Sequence, residues 1–163
     1  MSERIVLDYE MDRLKIITLV KLKTRSGKFI PYNTVVDTGS SDTALSRQLF
    51  SRMGFEAQGK IKTTITGVNA TSEGFSTIID HFVLGGVDLG KTRVTVSDLS
   101  PNLENTIILG MNILAWFHMF INHSQKEIVL IERKIKDLNK TTRFYRTDIF
   151  THNILNAMTE YEK

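Results

Sequence analysis

The chain has 163 residues, 41% hydrophobic and 24% charged, with a formal net charge of +3 and no cysteine. That balance predicts one globular domain with a short appendage. It excludes thiol catalysis, cysteine-based zinc sites and a disulfide framework, and +3 is too small to argue for a nucleic-acid partner.

Near the amino end, the apolar stretch Ile5-Val6-Leu7 meets Asp8 too soon for an export signal. No run approaches membrane-spanning length. Together with the missing cysteines this predicts a reducing, cytoplasmic location. The triplets at Asn69, Asn122 and Asn139 match the glycosylation pattern and are read as chance without an export signal.

Residues 5–22 are rich in strand formers, among them Leu14, Ile16, Leu19, Val20 and Leu22. Residues 24–28 form a polar turn, and 29–36 resume as strand, so a hairpin is predicted to end on Asp37. There Val35-Val36 gives way at once to Asp37-Thr38-Gly39-Ser40-Ser41. Taken alone this is an ordinary turn, because Asp, Ser and Gly favour turns for local reasons. Ala44-Leu45 continues as an extended segment. Ser46 is placed to cap a short helix through Arg47, Leu49, Phe50 and Met53, and Gly54 to stop it.

Residues 61–66 alternate apolar and polar and break at Gly67-Val68-Asn69-Ala70; residues 75–84 then return as strand. Gly85-Gly86 is a turn, 87–96 another strand region kinked at Gly90, and 100–102 a loop. Residues 106–110 form an apolar strand ending on glycine, 111–117 a short apolar helix, and 120–122 with 127–131 a last hairpin. Many short strands and two short helices predict an all-β, closed barrel-like domain over 1–132. The basic stretch 133–163 is expected to be a helical or flexible extension, a solvated tail rather than a contact surface. There is no internal repeat. Asp88-Leu89-Gly90 is the nearest echo of Asp37-Thr38-Gly39, with a bulky middle residue.

Three features in order, namely Asp37-Thr38-Gly39-Ser40, a hairpin tipped near Gly67, and Ile107-Ile108-Leu109-Gly110 leading into a helix, resemble the retropepsin-like aspartic proteases. The family includes retroviral proteases and single-domain bacterial relatives, and the likeness runs over 16–131. The resemblance implies the retropepsin fold and an aspartic endopeptidase that needs neither metal nor cofactor. It makes Asp37 the catalytic aspartate and Thr38 the link between two active-site loops. Gly39 permits close approach, and Ser40 bonds beside the acid. Thr66, Gly67 and Val68 fall in the flap over substrate, and Ile108, Leu109 and Gly110 support the catalytic loop.

Carboxylate-driven peptide hydrolysis needs a charged and a neutral carboxyl about a water's width apart, and two acids that close share one proton. One chain offers one such aspartate, so a homodimer acting on a polypeptide is expected, with Asp37 from each copy meeting on the two-fold axis. The serines after Gly39 predict added hydrogen bonds to the acid pair and an acid-shifted rate profile. A second reading keeps the fold without turnover, as a peptide-binding or assembly module.

Asp42, Asp80, Asp88 and Asp98 are rival acids, with Asp42 read as a loop carboxylate bonding backbone amides. His81, His118, His123 and His152 lack metal spacing. Ser40 and Ser41 lack a matched histidine motif, and Trp116 with Phe117 and Phe120 reads as core or dimer surface.

Overall fold

The computed structural model describes residues 4–56, 63–66 and 71–133. Strands β1 (Arg4–Asp8), β2 (Glu10–Asp12), β3 (Lys15–Lys23) and β4 (Phe29–Val36) are followed by β5 (Ala44–Ser46) and helix α1 (Arg47–Arg52). Then come β6 (Thr63–Thr66), β7 (Thr71–Ile79), β8 (Phe82–Leu84), β9 (Val87–Asp88) and β10 (Thr92–Ser97). The chain continues through a short 3-10 turn to β11 (Ile107–Leu109), helix α2 (Met111–Leu114), β12 (Phe117–Asn122) and β13 (Glu127–Glu132). The predicted hairpin into Asp37 is β3–β4, paired from Ile17–Val35 to Lys23–Phe29. The predicted cap is present too: the Ser46 hydroxyl accepts from the Leu49 N–H at 2.9 Å, and Gly54 follows the helix with φ +84°.

The strands form two sheets. One has three strands in the order β1-β13-β12; the other has ten, running β6-β7-β10-β5-β11-β4-β3-β8-β9 with β2 on β3. The expected closed barrel does not form, because β6 and β9 end the large sheet without pairing with each other and the chain ends make a sheet of their own. The predicted strand over 75–84 is two strands. β7 pairs with β10 while β8 pairs with β3, so the chain changes neighbours at Asp80-His81. Phe82 and Leu84, both fully buried, favour that switch. The helix predicted over 111–117 is also shorter. It stops at Leu114, because Phe117 already pairs with Glu132 at the start of β12.

The core lies between the sheets and under α1. Val20, Leu22, Leu45, Phe82, Leu84, Val96, Ile107, Leu109, Ile128 and Leu130 are fully buried. Burying each such side chain favours folding by about 1.5–3 kcal/mol before chain entropy is counted. Burial alternates in the strands that lead to the Asp37 loop: Thr34, Ile107 and Leu109 are buried, while Val35 and Ile108 are only half-buried on the opposite face. Trp116 belongs to the core, with its indole N–H donating to the Asn112 carbonyl at 3.0 Å. Of the extension predicted from 133, Arg133 lies among the described residues; its N–H and guanidinium donate to the Trp116 and Ala115 carbonyls. The remainder, 134–163, lies outside them.

Candidate active site

Asp37 follows β4 directly, and β4 runs parallel to β11 with Val35 beside Ile108 and Val36 beside Leu109. The Asp37 N–H donates to the Leu109 carbonyl at 3.0 Å, so the strand pairing carries on into the loop. Its carboxylate Oδ1 accepts from the Gly39 N–H at 2.9 Å, and its carbonyl accepts from the Ser40 N–H at 3.2 Å. These are the local bonds of a tight Asp turn. Asp37 is part-exposed, and Thr38 and Gly39 are exposed.

Beneath this turn lies a second layer supplied by β11 and α2. Gly110 allows it: a Cβ there would stand 2.3 Å from the Asp42 carbonyl oxygen and 2.9 Å from the Thr43 nitrogen. Without a side chain, the Gly110 backbone sits against the loop, and its N–H donates to the Thr43 hydroxyl at 3.1 Å. The Met111 and Asn112 N–H groups donate to the Ser40 and Ser41 carbonyls at 2.8 and 2.9 Å. Asn112, 4% exposed, turns its amide oxygen to the N–H and hydroxyl of fully buried Thr43, at 2.7 and 2.8 Å. Its amide nitrogen donates to the Arg93 carbonyl on β10 at 3.1 Å. Buried polar groups satisfied this way specify one geometry, because losing any partner leaves a costly unpaired group.

The expected site residues thus divide. Asp37, Thr38, Gly39 and Ser40 lie together on the loop, Gly110 packs against it, Ile108 lies on the Asp37 side of the sheet, and Leu109 faces the core. Thr66 ends β6, whereas Gly67 and Val68, the expected flap tip, lie outside the described residues. The serine hydroxyls do not turn to Asp37. Ser40 donates to the Asp42 carbonyl at 2.7 Å and Ser41 to the Asp42 carboxylate at 3.4 Å, which removes the stated basis for an acid-shifted profile. Asp42, a rival acid, accepts from the Arg93 guanidinium at 3.0 Å and not from backbone amides. Thr43, Arg93 and Asn112 escaped the sequence reading. The one signal was Asn112 itself, an amide within the apolar run Met111-Asn112-Ile113-Leu114.

No group of three or more potential metal ligands occurs among the described residues. His81 instead pairs with Asp88 at 2.6 Å, and His123 meets the Tyr9 hydroxyl at 2.7 Å. Burial alone would raise the Asp88 carboxyl. The His81 hydrogen bond and charge, with the backbone N–H of Gly90, outweigh it and hold the group below the usual carboxylate value.

Comparison with known proteins follows the same lines. A retropepsin-like aspartic protease from Rickettsia conorii superposes with a TM-score of 0.59 at 19% identity, covering 81% of this chain and 92% of that one. An EIAV protease in complex with the inhibitor HBY-793 gives a TM-score of 0.48 at 28% identity, covering 65% and 92%. The retroviral protease-like domain of Ddi1 from Leishmania major gives 0.48 at 12% identity, covering 71% and 90%. No curated protein sequence matches the chain. The family model described as aspartyl protease matches residues 20–113, which span β3, the Asp37 loop, Gly110 and Asn112. With more than half of its length matched and the retropepsin-like fold in place, this chain belongs to the aspartyl protease family.

Proposed function

We propose that the protein is an aspartic endopeptidase whose catalytic unit is a pair of Asp37 carboxylates, one from each copy of a homodimer. The observation that carries this is the Asp37-Thr38-Gly39 turn, held by Gly110 and Asn112, in a chain of the aspartyl protease family. Asp37 has the exposure a catalytic acid needs. Nearby Asp42 is engaged by Arg93 and is a poor second acid. Thr38 is exposed on the turn, which supports a contact with its own copy there.

In such a pair two like charges resist ionising together, so one carboxyl keeps a proton. The charged Asp37 takes a proton from a water, which attacks the peptide carbonyl carbon. The neutral Asp37 donates to the carbonyl oxygen, and a proton then passes to the departing amine. The β6–β7 hairpin is the element suited to cover substrate and exclude water.

Mixed dimers provide the test. Wild-type chain combined with an excess of Asp37→Asn chain should lose peptide hydrolysis in proportion to heterodimer formed, and pepstatin should inhibit the wild type. Full activity in isolated monomers, or in heterodimers, would overturn the pairing. A folded dimer that binds peptides and cleaves none between acid and neutral pH would leave the non-cleaving peptide-binding module as the function.

A further inference from the structure

The strand register places more than Asp37 on the exposed side of the large sheet. Val35 is beside Ile108, Ile108 beside Ala44, Ala44 beside Thr95, and Thr95 beside Ser76, so these residues form one row on one face. One pleat further on, with strand directions respected, the next row reads Asp37, Gly110, Asp42, Arg93 and Ile78. Two contacts anchor it: the Gly110 backbone against the Asp42 carbonyl, and the Arg93 guanidinium on the Asp42 carboxylate at 3.0 Å. Arg93 stands directly across from Ile78 in the β7–β10 pairing. At about 4.8 Å per strand, Arg93 is three strands, or about 14 Å, from Asp37, the span of about four residues of extended peptide.

Beyond Arg93 the surface opens into a shallow depression of about 370 Å³, lined by Ser76, Thr77, Ile78 and Arg93. Among the described residues, Arg93 is the one charged residue of that lining. Its side chain is 24% exposed, and its backbone is fixed by Asn112, which also holds the catalytic loop. Both Asp42 oxygens already accept, one from Arg93 on β10 and one from the Ser41 hydroxyl of the loop. A ligand side chain entering the depression therefore meets a cation whose orientation is set by Asp42.

We propose that Arg93 is a specificity-determining residue that reads an acidic side chain about three to four residues from the scissile bond of the substrate peptide. This rests on the endopeptidase reading above, and it names a substrate feature that the catalytic pair does not.

Two arms test it. In the first, wild-type protein is given a decapeptide mixture with Glu, Gln or Lys fixed in turn at each position, and cleavage is read by mass spectrometry. Glu should be favoured over Gln by about three- to fivefold at one position three or four residues from the cut, with the preference shrinking as salt rises. In Arg93→Met the Glu-to-Gln ratio should fall to about one, and in Arg93→Glu the preference should pass to Lys. In the second arm, binding of the same peptides to Asp37→Asn protein is measured by anisotropy, which needs no turnover. Glu-selective binding without cleavage by the wild type would retain the Arg93 assignment and refute the protease reading. Equal handling of Glu and Gln, a wild-type preference for Lys, or no peptide binding at all would overturn the assignment. The wild-type ratios decide this even if an Arg93 variant fails to fold.

Discussion

Two turns in this protein are built alike and differ in everything around them. In Asp37-Thr38-Gly39 the glycine N–H donates to the aspartate Oδ1 at 2.9 Å, and in Asp88-Leu89-Gly90 the same bond measures 2.8 Å. The middle residue points outward in the first turn and inward in the second. Thr38 is exposed, whereas Leu89 is buried and its N–H donates to the Phe82 carbonyl. Asp88 has His81 as partner at 2.6 Å. Asp37 instead stands over a second layer, the Gly110–Asn112 backbone with its buried amide. A tight Asp turn is therefore common local chemistry, and a floor of glycine and asparagine beneath it is what separates a candidate catalytic loop from an ordinary one.

The largest expected effect breaks this comparison at the acids themselves. Asp37→Asn should lower peptide hydrolysis by about a thousandfold or more with little change in thermal midpoint, while Asp88→Asn keeps activity within about twofold. Equal losses in a peptide-cleavage assay would mean that the two turns are not functionally distinct. Next comes the floor. Gly110→Val should destabilise the fold by about 3 kcal/mol and depress activity, since its side chain meets loop backbone that has nowhere to go. Urea titration measures this, and an unchanged midpoint would contradict the packing described. Asn112→Leu removes the acceptor for two Thr43 donors and should cost about 2 kcal/mol, with a fall in kcat larger than any change in KM.

The smallest effect sharpens the other turn. The Asp88 carboxyl lies below its ordinary value, so its contribution to stability is present above the unfolded carboxylate value of about 3.9. That contribution is lost as pH falls through the lower folded value. Because the pair is well exposed, the difference between wild type and Asp88→Asn should stay under about 1 kcal/mol near neutrality and vanish once pH has fallen below the lowered folded value. A gap that widened on acidification would reverse the sign given to the His81 interaction.

Much of the arrangement could be read from residue patterns because local chemistry set it. The β3–β4 hairpin, the Ser46 cap and the run Ile107-Ile108-Leu109-Gly110 each rest on alternation or a turn residue that tertiary contacts reinforce. The misreadings share one cause. Residues 75–84 look like one strand because apolar character does not record which neighbour a strand pairs with, and β7 and β8 pair with different partners. Trp116-Phe117 look helical until β13 claims Phe117. Thr43, Asn112 and Arg93 were invisible for the same reason, since a buried amide acquires meaning only from a donor 69 residues away and an acceptor 19 residues away.

The start of α2 carries one last implication. A helix normally leaves its first N–H groups in want of acceptors, and here those groups are consumed by Ser40, Ser41 and Thr43. The loop is thus welded to the helix through bonds that neither side can drop without stranding a buried dipole. On the endopeptidase reading proposed above, the acid's own seat behaves as an anvil: it stays where the fold puts it, and the substrate is brought to it.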